Sequence, residues 1–239
     1  MLEGKKVIIF DMDGTLIESV GIWNQVDEEL ITRIRSEGTP LPENVQSQRD
    51  EALRRFSKAE SPYMEYCAFL KEKYDAVQSP DEIHTLRYEI AQEFLQNVID
   101  YKPDADTFIR WLKEQGYILT IATTTKRSNV DVYRTRNTRM MEKAKIDDYF
   151  RLVYTREDAR EIKPNPEIYL RVMKELGVSA EECLVFEDSL IGLEAARNAG
   201  MESVAIYDKY SDGEREQINA ISDYQIQTYT ELMKQLNQQ

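Results

Sequence analysis

Short, β-branched apolar runs recur along this chain with helical patterns between them, and that alternation constrains its fold more than any other feature. The runs lie at 5–10 (KKVIIF), 118–122 (ILTIA), 152–154 (LVY), 183–186 (CLVF) and 203–206 (SVAI), with a weaker one at 224–227. Each is too short for a helix and apolar on both sides, as a buried parallel strand must be. Between them, Phe108, Trp111 and Leu112 lead to Gly116, and Leu190, Leu193, Ala196 and Ala199 lead to Gly200. Asn165-Pro166 reads as an N-cap with proline at the first helical position, ahead of Tyr169, Val172, Met173, Leu176 and then Gly177. The predicted class is α/β, a doubly wound parallel sheet with helices on both faces.

Residues 20–98 break this alternation. Trp23, Val26, Leu30 and Ile34 share one helical face, as do Tyr63, Cys67, Leu70 and Tyr74. Ser79-Pro80-Asp81-Glu82 is a capping box with proline at the first position, and Ile83, Leu86, Ile90 and Phe94 follow. An all-helical insert is expected over 17–99, with the core built from 1–16 and 100–239. Its two ends must lie close together, with hinges near Leu16–Val20 and Asn97–Pro103.

Composition removes several classes of chemistry. There is one histidine, His84, and there are two cysteines, Cys67 and Cys183. A zinc site of several Cys and His is excluded, and a Ser–His–Asp hydrolase would need His84, which has no suitable surroundings. Two lone cysteines form no disulfide framework, so a reducing cytoplasm is the expected location. The 44 acidic residues outnumber the 31 Lys and Arg, for a net charge of −13. Neither nucleic acid nor an anionic membrane is an expected partner for such a chain, and a monomer is expected. Carboxylates, hydroxyls and lysines are left to carry any chemistry.

Four places could do so, each at a strand end. Asp11 and Asp13 close the first run, with Gly14 loosening the turn; two such close carboxylates are most simply relieved by a divalent cation. Taken alone, the same DxDG is also what a solvated turn looks like. Glu187 and Asp188 close another run, giving a second acidic pair suited to Mg2+ or to an acidic surface loop. Thr123, Thr124 and Thr125 offer hydroxyls and backbone N–H groups of the kind that hold a phosphate, with Lys126 and Arg127 adding positive charge; a threonine-rich capped turn looks the same. Lys163, before Pro164-Asn165-Pro166, would neutralise charge among four carboxylates or simply lie at the surface.

The order of these elements is more specific than any one of them. FDMDGTLIES, IATTTKR, IKPNPEIYL and VFEDSLIGLEAARNAG resemble the four motifs of the haloacid dehalogenase-like superfamily. The insert resembles the helical cap of the subclass that contains phosphoglycolate phosphatases, sugar-phosphate phosphatases and β-phosphoglucomutase. The resemblance implies that Asp11 is a nucleophile forming an aspartyl phosphate and that Asp13 is the general acid and base. It implies a Mg2+ site from Asp11, the Asp13 carbonyl and Asp188, with Glu187 beside it, and a phosphate grip from Thr123 and Lys163. In that subclass cap residues choose the leaving group; Arg49 and Arg87 are the candidates, while Trp23 is expected in the cap core and His84 on its surface. The expected activity is hydrolysis of a small phosphorylated metabolite, such as a sugar phosphate, with a β-phosphoglucomutase-like transfer as the alternative. A phospho-receiver domain is disfavoured because the acidic pair sits on the first strand. A non-catalytic interaction protein is disfavoured because all the site residues are present.

Two segments depart from the pattern. Residues 36–50 are polar, with Pro40 and Pro42, and are unlike the glycine-containing cap loop of the mutase. Residues 128–149 are longer than the usual link and carry Arg134, Arg136 and Arg139; a solvated basic helix is expected there in preference to an extra loop over the site.

Overall fold

In the computed structural model, residues 1–56 and 59–236 are described. The chain folds as two units, Met1–Val20 with Ile99–Gln239, and Gly21–Val98. Among the described residues of the first unit, six strands form one parallel sheet: β1 Val7–Phe10, β2 Ile118–Ala122, β3 Phe150–Tyr154, β4 Cys183–Glu187, β5 Glu202–Ile206 and β6 Tyr224–Ile226. Their order is β3-β2-β1-β4-β5-β6. The chain therefore winds outward from β1 to β3 and then returns to place β4 on the other side of β1. Such a reversal opens a crevice at the carboxyl ends of β1 and β4, where doubly wound sheets bind ligands.

The second unit is helical: α1 Ile22–Ile34, α2 Val45–Arg55, α3 Pro62–Tyr74 and α4 Pro80–Asn97. The first unit continues with α5 Ala105–Glu114, α6 Arg127–Thr135, α7 Thr138–Ala144, α8 Ile146–Tyr149, α9 Glu167–Leu176, α10 Leu190–Asn198, α11 Arg215–Ile221 and α12 Tyr229–Leu236. No helix among the described residues is long and apolar enough to cross a membrane.

The period-2 alternation of the strands divides the core into two layers. Val7, Ile9, Cys183 and Val185 face Ile168, Tyr169 and Val172 of α9 and Ala195, Ala196 and Ala199 of α10. On the other side an aromatic cluster forms. Phe10 stacks on Phe186 at 5.0 Å between ring centroids, and Phe108 of α5 lies 5.4 Å from Phe186 and 5.6 Å from Tyr229 of α12. Stacked and tilted ring pairs of this kind add about 0.5–1.5 kcal/mol each beyond simple burial.

The chain leaves and re-enters this unit through two adjacent strands of backbone. Lys102 N–H donates to Leu16 O at 2.8 Å, and Glu18 N–H donates to Asp100 O at 3.1 Å. Ile17 and Tyr101 form an isolated antiparallel bridge between them.

Several local expectations are met and two are corrected. Ser79 Oγ accepts from Glu82 N–H at 3.3 Å while Glu82 Oε2 accepts from Ser79 N–H at 2.7 Å, the reciprocal box the sequence predicts. Helix α9 begins one residue later than expected. Pro166 occupies the cap position and Asn165 Oδ1 accepts from Glu167 N–H at 2.9 Å, so the asparagine caps from one residue further out. The 128–149 segment is not one solvated basic helix. It is α6, α7 and α8, which bury Val130, Tyr133, Met140, Ala144 and Ile146. Asn137 interrupts it: its side chain accepts from Met140 N–H at 3.0 Å and so starts a new helix. Arg136 and Arg139 are exposed, as a solvated face requires.

The helical unit buries Val26, Leu30 and Ile31 of α1 with Tyr66, Cys67 and Leu70 of α3 and Ile83 and Ile90 of α4. Asp27 lies fully buried in that core. Its two oxygens receive Arg49 Nη1 at 2.9 Å and Arg87 Nε at 2.7 Å. The Arg87 guanidinium also lies over the rings of Trp23 and Tyr63, at 5.6 and 5.1 Å. Trp23 is half-buried against this core and His84 is exposed. A buried charge that loses its partner is costly, so Asp27→Ala is expected to destabilise the chain by about 3 kcal/mol, read by urea denaturation.

Candidate active site at the switch point

Asp11 follows β1 directly, and its N–H is still in the ladder, donating to Phe186 O at 3.0 Å. Glu187 ends β4 and Asp188 follows it. Because β1 and β4 pair in register, with Phe10 opposite Phe186, the two acidic pairs emerge side by side. One oxygen from each of Asp11, Glu187 and Asp188 falls within 4.8 Å of the others. Thr123 closes β2 on the other side of β1.

Lys163 binds this cluster together. Its Nζ donates to Asp11 Oδ1 at 2.7 Å, to Glu187 Oε1 at 2.7 Å and to Ala122 O at 2.9 Å. The ring of Tyr169 lies 5.1 Å from the same ammonium. Burial alone would discharge this lysine, but Asp11 and Glu187 outweigh it and hold its pKa well above the ordinary value.

The remaining polar atoms are arranged around that bond. Glu187 Oε2 accepts from Asp188 N–H at 3.0 Å, Ser189 N–H at 3.1 Å and Ser189 Oγ at 3.0 Å. Asp188 Oδ1 accepts from Thr15 Oγ1 at 2.8 Å. The two oxygens of Asp13 accept from Ser19 Oγ and Thr125 Oγ1 in short hydrogen bonds. Thr123 is buried and meets this group through Thr125, whose hydroxyl is 3.1 Å away.

The electrostatics are unbalanced. Burial pushes the Asp11 carboxyl up to about 7; Lys163 opposes the rise, while Glu187 and Asp13 add to it. Burial likewise raises Asp188 well above the carboxylate range, with Glu187 and Asp11 contributing. Four carboxylates share one ammonium. An oxygen-only donor set with excess negative charge matches a hard divalent cation such as Mg2+.

Not every candidate joins this cluster. Thr124 and Lys126 are exposed, and Lys126 occupies the cap position of α6. Arg127 is half-exposed and pairs with Asp158 at 2.8 Å. Arg49 belongs to the helical unit, where Asp27 engages it. Conversely, Thr15, Ser19, Ser189 and Tyr169, all inside the four motifs, also serve the cluster.

Two glycines are required by closeness. Gly14 has φ +79°, and a Cβ there would stand 2.4 Å from Asp188 Oδ2. A Cβ at Gly192, in the first turn of α10, would stand 1.8 Å from Glu187 Oε1. Gly192→Ala is therefore expected to drive Glu187 off Lys163 and to cost about 1–3 kcal/mol, measured by chemical denaturation, with the displaced carboxylate visible crystallographically.

The chain is similar to several known proteins. CbbY of Rhodobacter capsulatus is 29% identical over 213 residues, 87% of this chain and 88% of that protein. The phosphorylated carbohydrates phosphatase of Thermotoga maritima is 25% identical over 199 residues, 83% of each chain. A crystal structure of CbbY from Rhodobacter sphaeroides in complex with phosphate superposes with a TM-score of 0.67 at 25% identity, covering 95% of this chain and 96% of that one. Residues 5–200 match the haloacid dehalogenase-like hydrolase family. The chain belongs to that family.

Proposed function

We propose that this chain is a Mg2+-dependent phosphatase that hydrolyses a small phosphorylated metabolite, a sugar phosphate, through an aspartyl-phosphate intermediate. The observation that carries the reading is the Lys163 ammonium held between Asp11 and Glu187 at the switch point, with Asp188 alongside. The names of the relatives, a phosphatase of phosphorylated carbohydrates and a CbbY bound to phosphate, support it.

Asp11, Asp188 and the backbone carbonyl of Asp13 would hold the cation, with Glu187 beside them. When bound, Mg2+ supplies positive charge against the non-bridging phosphoryl oxygens. The chain's own residues do the rest. Lys163 holds the Asp11 carboxylate through Oδ1 and so orients it for attack on phosphorus. As the phosphorus–ester bond breaks, a proton from Asp13 passes to the leaving oxygen. Water then attacks the aspartyl phosphate, gives its proton back to Asp13 and releases inorganic phosphate. Ser19 and Thr125 donate to the two oxygens of Asp13 and so fix the orientation of its carboxyl group. Lys163 and Thr123 stabilise the phosphoryl oxygens; a loose phosphoryl transition state asks for positioning and positive charge, which explains why a chain with one histidine suffices. Cys67 and Cys183 are buried and unpaired, in keeping with a cytoplasmic enzyme.

Asp11→Asn is expected to abolish hydrolysis of an aryl phosphate in the presence of Mg2+; undiminished turnover would refute the nucleophile. Chelation should abolish activity reversibly. Because Asp11 must be ionised to ligate, Mg2+ affinity should weaken as pH falls through about 7. Incubation with β-glucose 1-phosphate and a trace of the bisphosphate is expected to release inorganic phosphate; accumulation of glucose 6-phosphate would instead identify a mutase.

A further inference from the structure

The carboxyl end of β5 lies beside that of β4, with Ala205 paired to Glu187. The chain leaving β5 therefore passes next to Asp188 before it enters α11. Asp208 organises this turn. Its Oδ1 accepts from Tyr210 N–H at 2.9 Å, and its carbonyl accepts from Ser211 N–H at 3.1 Å and from Arg215 Nη2 at 2.8 Å. Its Oδ2 accepts from Lys102 Nζ at 2.8 Å, and the same ammonium reaches Tyr207 O at 3.2 Å. Asp208 is 8% exposed and Lys102 9%, so the pair is shielded from water.

One side chain of this turn faces the acidic cluster. Ser211 Oγ stands 3.5 Å from Asp188 Oδ2, while Thr15 Oγ1 bonds the opposite oxygen at 2.8 Å. Asp188 is thus bracketed by two hydroxyls, one from the β1 turn and one from the β5 turn. The first is set by the backbone that follows Gly14. The second is set by Asp208, whose carbonyl holds the Ser211 amide and whose carboxylate is held by Lys102.

We infer that Lys102 is a positioning residue for the cation site. It anchors Asp208, Asp208 shapes the β5–α11 turn, and Ser211 on that turn fixes the orientation in which Asp188 meets a divalent cation. The inference rests on the cation site proposed above. A purely electrostatic role makes the opposite prediction. The charge of Asp208 is felt at Asp188. If Lys102 only neutralised that charge, its removal would increase local negative potential and tighten cation binding. If it positions, its removal loosens the turn and weakens binding.

The test is Mg2+ titration by calorimetry on the chelator-stripped full chain, with thermal unfolding recorded for each variant. Lys102→Met is expected to raise the Mg2+ Kd by about 10–100-fold, the range found when partners of metal ligands are removed. Lys102→Arg, which keeps the pairing, should restore most of the affinity. Ser211→Ala should raise Kd by roughly tenfold with the unfolding temperature unchanged, because its half-buried hydroxyl serves Asp188 and not the core. Tighter or unchanged binding in Lys102→Met overturns the inference, as does an unchanged Kd in Ser211→Ala. If Lys102→Met fails to fold, Ser211→Ala decides the matter alone. Wild-type protein that takes up no Mg2+ overturns the cation site itself and this inference with it, an outcome distinct from normal uptake in every variant.

Discussion

The bond from Lys163 to Asp11 and Glu187 is the constraint around which the rest of the first unit is arranged. Three charges sit where water scarcely reaches, and desolvating them carries a cost of several kcal/mol per ion unless every lone pair is answered. The surrounding residues answer them. Ala122 O takes the third ammonium hydrogen, and Ser189 and the backbone after β4 take the second oxygen of Glu187. The acidic residues cannot move independently, because shifting any one leaves a buried charge open. The site is therefore rigid at Asp11 and Glu187 and held by fewer bonds at Asp188, whose carboxylate meets only the hydroxyls of Thr15 and Ser211 among the described residues.

The sheet makes this arrangement possible by order and register. Strand β1 lies between β2 and β4, so the turns after all three converge. The hydroxyl cluster after β2, the acids after β1 and the acids after β4 become neighbours although Asp13 and Thr123 are 110 positions apart and Thr125 and Glu187 are 62 apart in sequence. Two glycines then let backbone approach carboxylate where any side chain would collide.

The strands and most helices were legible because period and punctuation agree there: short β-branched runs, helical stripes, and glycine at helix ends. The acidic pairs and Lys163 were legible as motifs whose order is more informative than their content. What local reading lost depended on tertiary structure. Gly192 looks like a weak helix residue until Glu187 is seen against it. Arg49 looks like a free cationic side chain until the buried charge of Asp27, itself hidden in an amphipathic stripe, claims it. The 128–149 segment looks basic because arginines dominate its count, whereas Asn137 and a few apolar residues decide its path. Lys102 and Asp208 stand more than a hundred positions apart, and no pattern links them.

The paired linkers carry one more consequence. Leu16–Glu18 and Asp100–Lys102 are hydrogen-bonded to each other inside the first unit, so the helical insert begins and ends at one closed point. To the sheet, some eighty residues behave as a single excursion whose ends are already joined. The entropy of closing such an excursion grows only with the logarithm of its length. The insert can therefore lengthen, shorten or be exchanged for another while β1 keeps its place beside β2 and β4. What the strand ends hold in register is set within the first unit, and the length of the insert does not enter into it.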